Sequence, residues 1–596
     1  MKPPNILQKK WARMIKYNKK ANDTTYIRPL NIIFAQQIDV ITMRKLLLYL
    51  LLLGLLPNGL FAQKDKNNLF EAAKNMELFN AVYKNLDLMY VDTLDANDVI
   101  GTGIKSMLRS LDPYTEYYPE SETQELRQAL SGKYGGIGAL IRYNQQLKNA
   151  VIDEPYANMP SSEVGLKKGD VILQIDDSTM VGKDTKYVSE HLRGEPGSTF
   201  ALKIKRPSTG KVMKFKVKRR AIQMPAIPYY GMVAGNVGYI NLVQYYEGCA
   251  KELRQAFIDL KKQGAKGLIL DLRNNVGGAE QEAVDLVNIF VPKDITVVTN
   301  KGKLKRANIT FKTRMEPVDA SMPIVILVNG MTASASEITA GSLQDLDRAV
   351  IMGTRTFGKG LVQMTTKLPY NANMKVTTAH YYIPSGRCIQ AINYKHTAGR
   401  NSATQLPDSL TRVFHTKNGR EVRDGGGIAP DVEIKPDTIA NISVYLQRGD
   451  STETMFNYEV NYISKHKTIA PASEFALTDD DFNEFKQLVL KNKFTYDHGT
   501  EKILAELEKM AKFEKYYEDA KPEFEALKKK LTHDVAKDLE LNKDELKQMI
   551  ATDIVTAYYF QAGAVQLGLR YDKQTKEAIK LLQTPEEYNK LLMPKK

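Results

Sequence analysis

The sequence contains few of the residues that build metal centres and disulfide frameworks. Its 596 residues include two cysteines, seven histidines and one tryptophan, with no CxxC or HExxH motif. The histidines form no cluster with acidic residues, so we expect no metal ion. Cys249 and Cys388 are far apart in the chain. Whether they pair stays open, because a secreted chain of this length can bury a core without disulfides.

A hydrophobic run long enough to cross a membrane is also missing. The apolar segment at 46–56 has 11 residues, whereas a transmembrane helix needs about 20. The basic residues Arg44 and Lys45 precede it and the small residue Ala62 follows it, which is typical of a secretory signal peptide. We therefore predict a signal peptide at 43–62 and export to the cell envelope, with the periplasm preferred. Residues 1–42 precede the signal's own methionine and are interpreted as a mis-assigned gene start.

The charge of the chain does not indicate a nucleic-acid-binding protein. The formal net charge is +15, but residues 1–62 hold 10 Lys/Arg and 2 Asp/Glu, a net of 10 − 2 = +8. The rest of the chain therefore carries 15 − 8 = +7. Spread over more than 500 residues, that charge favours solubility and forms no nucleic-acid footprint.

After the signal peptide, changes in the sequence pattern predict four parts. They are an N-terminal helical domain at 64–130, a β domain at 131–222, an α/β core at 223–435 and a C-terminal helical region at 440–596. In the core, apolar strands alternate with amphipathic helices, which predicts a multidomain α/β protein with a largely parallel sheet. The strands are predicted at 237–242, 266–273, 323–328 and 349–352, and the helices at 251–262, 281–290 and 337–345.

The C-terminal region is rich in lysine and glutamate. Ile503, Leu504, Leu507, Met510 and Phe513 recur there at helical spacing, which predicts a buried stripe. The helical ends of the chain, 64–130 and 440–596, are where a homo-oligomer could form or an adaptor protein could bind.

The β domain carries three spaced turn motifs. They are Gly135-Gly136-Ile137-Gly138, the turn at 165–170 and the turn at 191–197. Together they resemble a PDZ domain across about ninety residues. The resemblance implies that backbone N–H groups of Gly135, Gly136, Ile137 and Gly138 bind a peptide's C-terminal carboxylate, while the peptide adds a strand to the sheet edge. The alternative is an ordinary tight turn.

A serine and a lysine in the core have the setting of a nucleophile and its base. Ser334 lies between a buried strand and a helix, and Lys359 follows 25 residues later between two glycines. A hydroxyl needs a base to take its proton, and lysine serves only when neutral, so its pKa of about 10.4 must fall. No acid lies between Thr354 and Lys375 in the sequence, and Gln363 can bond a neutral amine.

The same turn offers donors for an oxyanion. The N–H of Ala335 lies at a helix N-terminus, where negative charge is favoured. Gly277 or Gly278 at the end of a neighbouring strand is the candidate second donor, because glycine lets the backbone approach a substrate. The alternatives are that Ser334 or Ser336 only caps the helix, and that Lys359 is a surface lysine.

The motifs around these residues resemble the carboxyl-terminal processing (tail-specific) peptidases. The matching segments are 270–278, 333–338, 353–363, 382–387 and 426–431, within a resemblance that covers roughly residues 70–435. The family implies a crotonase/ClpP-like core, a Ser334 nucleophile, a Lys359 general base oriented by Gln363, and an oxyanion hole of Ala335 with Gly277 or Gly278. It also implies unfolded or tail-exposed polypeptide substrates and no cofactor. Met331-Thr332 and Cys388 depart from the family pattern without replacing a catalytic group.

Four other interpretations stay open. Cys249 at a helix start is a rival nucleophile, and His380 is the histidine nearest the core motifs in sequence. Arg193, in the turn at 191–197, could couple tail binding to assembly of the site. The whole chain could also be a catalytically silent PDZ-type binding or chaperone-like module of the envelope.

Overall fold

The computed structural model describes residues 59–392, 394, 407–449 and 452–594. The predicted gene-start segment 1–42 and residues 43–58 of the predicted signal peptide lie outside the described residues. None of the helices described is both long and apolar enough to cross a membrane. The chain divides into two compact units, the first ending at Ile100 and the second beginning at Gly101.

The helices account for the N-terminal part and most of the C-terminal part. Helix α1 spans Gly59–Met89, and helix α2 spans Ala96–Arg109. The remaining helices are α3 Thr123–Ser131, α4 Pro160–Glu163, α5 Thr185–Leu192, α6 Cys249–Lys262, α7 Glu280–Val287, α8 Ala335–Asp345, α9 Asn441–Arg448, α10 Thr454–Lys465, α11 Asp479–Lys491, α12 Gly499–Phe513, α13 Tyr517–Leu531, α14 Val535–Leu541, α15 Lys543–Gly568, α16 Lys573–Leu582 and α17 Pro585–Leu591.

The strands lie between these helical parts. They are β1 Glu116–Tyr118, β2 Lys133–Gly136, β3 Ala139–Asn144, β4 Asn149–Pro155, β5 Val171–Ile175, β6 Ser178–Thr179, β7 Thr199–Lys205, β8 Val212–Lys218, β9 Arg220–Gln223, β10 Tyr229–Ala234, β11 Val237–Asn241, β12 Gly267–Asp271, β13 Thr296–Gly302, β14 Ile309–Lys312, β15 Ile324–Val328, β16 Val350–Gly353, β17 Leu361–Lys367, β18 Asn373–Tyr382, β19 Val413–His415, β20 Glu421–Arg423 and β21 Val432–Glu433.

The β domain is an antiparallel sheet with one helix over its edge. The strand order is β3-β4-β5-β7-β8, so β3 is an edge strand, and α5 packs beside β3. Phe200, Leu202 and Ile204 alternate along β7 and are all buried, as expected when one face of a sheet covers a core. The groove between β3 and α5 is therefore open to an added strand.

The α/β core contains a six-stranded sheet with the order β10-β11-β12-β15-β16-β21. All its neighbouring pairs are parallel except β10 with β11. Every residue of β15 is buried, because alternate side chains enter two different cores. Ile324, Ile326 and Val328 pack with helices α6, α7 and α8. Val325 and Leu327 pack on the other face with Leu581 and Tyr588 of the C-terminal helices.

The C-terminal helices thus form part of the core on one face of the six-stranded sheet. Helix α16 is fixed at the end of β12, where Arg273 pairs with Asp271 and with Asp572 at 2.5 Å each and donates to Gln574 at 2.9 Å. A second, separate core lies among helices α9, α10, α11 and α15. The predicted buried stripe on α12 is wrong: Ile503, Leu507, Met510 and Phe513 are 72%, 54%, 53% and 84% exposed. Helix α12 packs mainly on α13, which leaves this face uncovered in the described chain.

A second antiparallel sheet borders the core. Its order is β1-β18-β13-β14, and β17 also pairs with β18. Strand β1 comes from the segment predicted as helical, and it pairs Glu116 with Lys375 on β18. This pairing brings the turn that precedes β1 to the same region as Lys359, which directly precedes β17.

Candidate active site

Ser334 lies in the sharp turn that joins β15 to α8. Its backbone has φ +56° and ψ −118°, a conformation that L-residues adopt only when their surroundings enforce it. The turn is held from outside by the N–H of Ala333, which donates to Asn275 O at 3.0 Å. Asn275 belongs to the strand-end segment that also carries Gly277 and Gly278. The nucleophile candidate is therefore fixed to the oxyanion candidates through one backbone hydrogen bond.

Glu337 is the residue that joins the serine turn to the lysine segment. Its Oε2 accepts the backbone N–H of Ser334 at 2.9 Å and that of Lys359 at 2.8 Å. Its Oε1 accepts the N–H of Gly358 at 2.7 Å and the hydroxyl of Thr356 at 2.5 Å. The side chain is fully buried, and burial raises its pKa, although these four donors oppose that shift. Sequence reasoning missed this role, for which the spacing of Ser334 and Glu337, that of a helix capping box, was the available signal.

Lys359 has the lowered basicity that a catalytic lysine needs. Its pKa falls from the ordinary 10.5 to about 8, chiefly because the side chain is largely buried and secondly because Lys375 is nearby. Glu337, Asp112 and Glu116 oppose the shift. The sequence around Lys359 contains no acid, but the fold brings these three carboxylates to it. Burial outweighs them.

The amine of Lys359 lies on an aromatic ring. Its Nζ is 4.3 Å from the ring centroid of Tyr114, within the range of a cation–π contact. Tyr114 is held in place by Asp112, which accepts its N–H at 2.8 Å, and by the hydroxyl of Tyr394 at 3.1 Å. Tyr114 is a second site residue that sequence reasoning missed, since it lies more than 200 positions before Lys359.

Ser334 and Lys359, the predicted dyad, share a backbone hydrogen-bond acceptor, but their reacting side-chain atoms do not meet. Within the described chain, no hydrogen bond joins Ser334 Oγ to Lys359 Nζ. Gln363, predicted to orient the lysine, instead donates from Nε2 to Thr377 Oγ1 at 3.2 Å. The amine of Lys359 therefore lies on the ring of Tyr114 and not on Ser334 Oγ.

Gly277, Gly278 and Ala335 meet at the serine turn. A Cβ on Gly277, which has φ +94°, would lie 2.8 Å from the N of Ala335 and 2.9 Å from Cβ of Ser334. The N–H of Gly277 donates to Asn275 Oδ1 at 2.9 Å. Among the hydrogen bonds of the described residues, none uses the N–H of Gly278 or of Ala335. Those two N–H groups can donate hydrogen bonds to an oxyanion.

The loop Gly135-Gly136-Ile137-Gly138 lies at the end of the groove between β3 and α5. Gly136, Ile137 and Gly138 line this groove together with Leu192 and Arg193. Arg193 lies over the ring of Tyr134 at 5.3 Å and donates to Gln128 at 3.1 Å. The loop and its groove have the layout of a site for a peptide's C-terminal end.

The rival nucleophile and base have unsuitable surroundings. Cys249 is buried, and burial together with Glu282 raises its thiol pKa far above the ordinary value, so a thiolate is disfavoured. Cys249 and Cys388 are both free thiols. His380 is exposed on β18, where it lies opposite Leu361 in the register with β17.

Comparison with known proteins identifies the family. The profile of peptidase family S41 matches residues 236–397, that of a PDZ domain matches 135–218, and that of the C-terminal helical domain of a probable PDZ-protease matches 442–582. The carboxy-terminal-processing protease of Bartonella bacilliformis is 31% identical over 413 residues, which cover 67% of this chain and 94% of that protein. The chain belongs to peptidase family S41.

Two further proteins are similar to the chain in sequence. A probable CtpA-like serine protease of Staphylococcus aureus is 30% identical over 437 residues, covering 72% of this chain and 84% of that protein. The solved photosystem II D1 C-terminal processing protease is 26% identical, covering 61% of this chain and 88% of that one, with a TM-score of 0.34. The family resemblance and the fold class expected from the motifs are confirmed: the chain is an S41 peptidase with a PDZ domain, a mixed α/β protease domain, N-terminal helices and a C-terminal helical domain.

Proposed function

We propose that this S41 peptidase cleaves polypeptides with a serine–lysine dyad, in which Ser334 is the nucleophile and Lys359 the general base. The observation that carries the proposal is the shared atom Glu337 Oε2, which accepts the backbone N–H of both residues at 2.9 and 2.8 Å. Two positions 25 residues apart in the chain are thereby held side by side. The pKa of about 8 for Lys359 leaves about a tenth of the lysine neutral at pH 7.

The proposed reaction is acyl transfer through an ester. Neutral Lys359 takes the proton of Ser334 as Oγ attacks the peptide carbonyl carbon, and the carbonyl electron pair moves to the oxygen. The C–N bond then breaks, and the protonated lysine gives its proton to the leaving amine. Water then attacks the ester and loses a proton to Lys359. The ester C–O bond breaks, Lys359 returns that proton to Ser334 Oγ, and the carboxylic acid leaves. For this, the amine must leave the ring of Tyr114, and we propose that Gln363 then accepts one of its N–H groups.

The oxyanion is proposed to bind Ala335 and Gly278. Both N–H groups lack an acceptor among the described residues, whereas the N–H of Gly277 is already bonded to Asn275 Oδ1. Gly277 contributes space, because a side chain there would meet the serine turn. Each oxyanion donor is expected to contribute about 10²-fold or more to kcat.

Substrate capture is proposed to begin at the PDZ domain. The tail of an unfolded polypeptide would pair with the free edge of β3, and its terminal carboxylate would accept N–H groups of the loop Gly135–Gly138. The predicted signal peptide at 43–62 supports an envelope location. A homo-oligomer or an adaptor bound through the helical ends stays a prediction, which sedimentation of the purified protein tests.

Cleavage of an unfolded polypeptide with an apolar C-terminus tests the dyad. The exported protein is compared with Ser334→Ala and with Lys359→Met, which keeps the length of the side chain and removes the amine. Loss of cleavage in both variants, with unchanged circular dichroism, is expected. Equal cleavage by Lys359→Met would contradict the proposal.

A silent binding module is the second candidate, because Ser334 and Lys359 are not hydrogen-bonded in this structure. A fluorophosphonate probe that reacts with activated serines separates the two. Labelling of wild type but not of Ser334→Ala or Lys359→Met supports the dyad, whereas tail binding without labelling supports the binding module.

A further inference from the structure

Tyr381 connects the two proposed catalytic residues on the side opposite to Glu337. It lies near the end of β18 and is 1% exposed. Its hydroxyl donates to the backbone carbonyl of Lys359 at 2.7 Å and also lies 3.2 Å from the carbonyl of Ser334. One phenol oxygen therefore contacts the C=O groups of both residues, just as one carboxylate oxygen accepts both of their N–H groups.

Neither residue is held in this position by regular secondary structure. Ser334 has φ +56° in a turn, and such a backbone persists only when its surroundings enforce it. Lys359 lies between Gly358, which has φ +87°, and Gly360, and glycines give a chain wide conformational freedom. A backbone hydrogen bond from the N–H of Phe357 to Thr332 O, at 3.0 Å, joins the two segments two residues away from each. Glu337 and Tyr381 contact the backbones of Ser334 and Lys359 themselves.

We propose that Tyr381 is a positioning residue for the dyad, which fixes the backbone of Lys359 relative to that of Ser334. The inference rests on the proposed function, and it adds a residue that touches neither substrate nor the reacting side-chain atoms. Glu337 accepts the N–H groups of Ser334 and Lys359, and the Tyr381 hydroxyl contacts their C=O groups. The backbone of the lysine segment is therefore fixed by hydrogen bonds on both sides. A misplacement of about 1 Å in such a site can cost about 10²-fold in rate.

A purely structural role for the hydroxyl is the alternative, because Tyr381 also belongs to the main apolar core. The chain offers a matched control for this. Tyr458 is 2% exposed and its hydroxyl also donates to one backbone carbonyl, that of Asp481, at 2.7 Å. It packs in the separate core of the C-terminal helices. Tyr381→Phe and Tyr458→Phe therefore each remove one hydroxyl and one hydrogen bond of 2.7 Å from a side chain with almost no exposed surface, and Tyr381→Phe also removes the contact with Ser334 O.

The experiment measures kcat, KM and the rate of fluorophosphonate labelling for both variants of the full exported chain, at a temperature where both are folded. For Tyr381→Phe we expect kcat and labelling to fall by about 10- to 100-fold, with KM within about twofold, since the PDZ groove is unchanged. The acid limb of the pH profile, which is the low-pH side where activity rises with pH, should not shift, since no charge is removed. Tyr458→Phe should lower the melting temperature by a similar amount and leave kcat unchanged.

Two results would overturn the inference: equal kcat in the two phenylalanine variants, or a fall in Tyr381→Phe that lies in KM instead of kcat. Failure of the proposed dyad would look different, because Lys359→Met would then keep its activity. If Lys359→Met and Ser334→Ala are inactive while Tyr381→Phe is fully active, the dyad stands and the positioning role of Tyr381 is wrong.

Discussion

Activity of this peptidase should rise with pH through about 8, because only neutral Lys359 can take the serine proton. The pKa of Lys359 is lowered from 10.5 to about 8. At pH 7 this leaves about 9% of the enzyme with a neutral lysine, against about 0.03% for an unperturbed side chain, a gain of about 300-fold. Below pH 7, kcat/KM should fall about tenfold for each pH unit, and above pH 9 it should level off.

Two charged residues near the amine shift the pKa of Lys359 in opposite directions, so removing one or the other should move the pH profile in opposite directions. Lys375 lowers the pKa of Lys359 and Glu116 raises it, and the two side chains pair with each other. Lys375→Met removes a like charge, so the acid limb should move to higher pH. Glu116→Gln removes an opposite charge, so the limb should move to lower pH. At pH 7 the first variant should therefore be slower than wild type and the second faster.

The assay is the pH profile of kcat/KM on a short peptide substrate, which reports the pKa of the free enzyme. Lys367→Met is the control: Lys367 is an exposed lysine on β17, opposite Asn373 at the far end of the same hairpin. Its profile should match that of wild type. A limb that stays fixed in both Lys375→Met and Glu116→Gln, or that moves the same way in both, would refute the assignment of the limb to Lys359.

Three further predictions concern other parts of the molecule. Gly277→Ala should lower kcat by about 10²-fold, because the added Cβ would displace the serine turn and a misplacement of about 1 Å can cost that much. Gly264→Ala, with the same φ of +94° but no atom near the added Cβ, should keep kcat; equal kcat in both would remove Gly277 from the site. Lys168→Met removes the ion-pair partner of the buried Glu459 and of the partly exposed Asp153, so it should weaken docking of the PDZ domain by about 3 kcal/mol and speed limited proteolysis, unlike a change at the exposed Lys205. A tail peptide ending in a carboxamide should bind more weakly than the free acid, and equal affinities by calorimetry would exclude the carboxylate loop.

Local patterns of the core predicted its main elements closely. Apolar runs gave strands β12, β15 and β16, because a parallel sheet covered on both faces needs continuously apolar strands. The helix predicted at 337–345 begins two residues earlier, at Ala335, since the small residues before Glu337 carry no periodic signal. Ser334 was predicted as the nucleophile from its place between a buried strand and a helix together with the family resemblance of the surrounding motifs, and its role stays a prediction.

Contacts between distant segments could not be predicted in this way. Tyr114, Tyr381 and Glu337 all reach Lys359 through the packing of separate strands and loops. The contact of Glu337 with Ser334, three residues away, is local, and its capping-box spacing was readable from the sequence. The expectation that Lys359 has no acidic neighbours came from the linear sequence, and the pairing of β1 with β18 brings Glu116 to it. The stripe on α12 was mistaken for a core face because helical spacing shows that a face is apolar, not that something covers it.

The C-terminal helices connect the PDZ domain to the protease sheet. Helix α16 packs against the sheet, and helices α10 and α15 hold the PDZ domain. Lys168 lies 2.8 Å from Asp153 and 3.4 Å from Glu459, and Gln561 donates to Glu154 at 2.6 Å. A PDZ domain that moves on binding a tail must expose these charges or carry the helices with it.

This interface should respond to pH. Burial raises the pKa of Glu459, Asp553 and Glu154, so the docked state binds more protons than the separated one. Docking is then strongest below the ordinary pKa of these carboxyls and weakens as pH rises through the raised values. Lys359, the proposed general base, becomes neutral in the same direction of pH, because it loses its proton as pH rises. Release of the PDZ domain and neutralisation of Lys359 therefore favour the same high-pH state, although different groups control them.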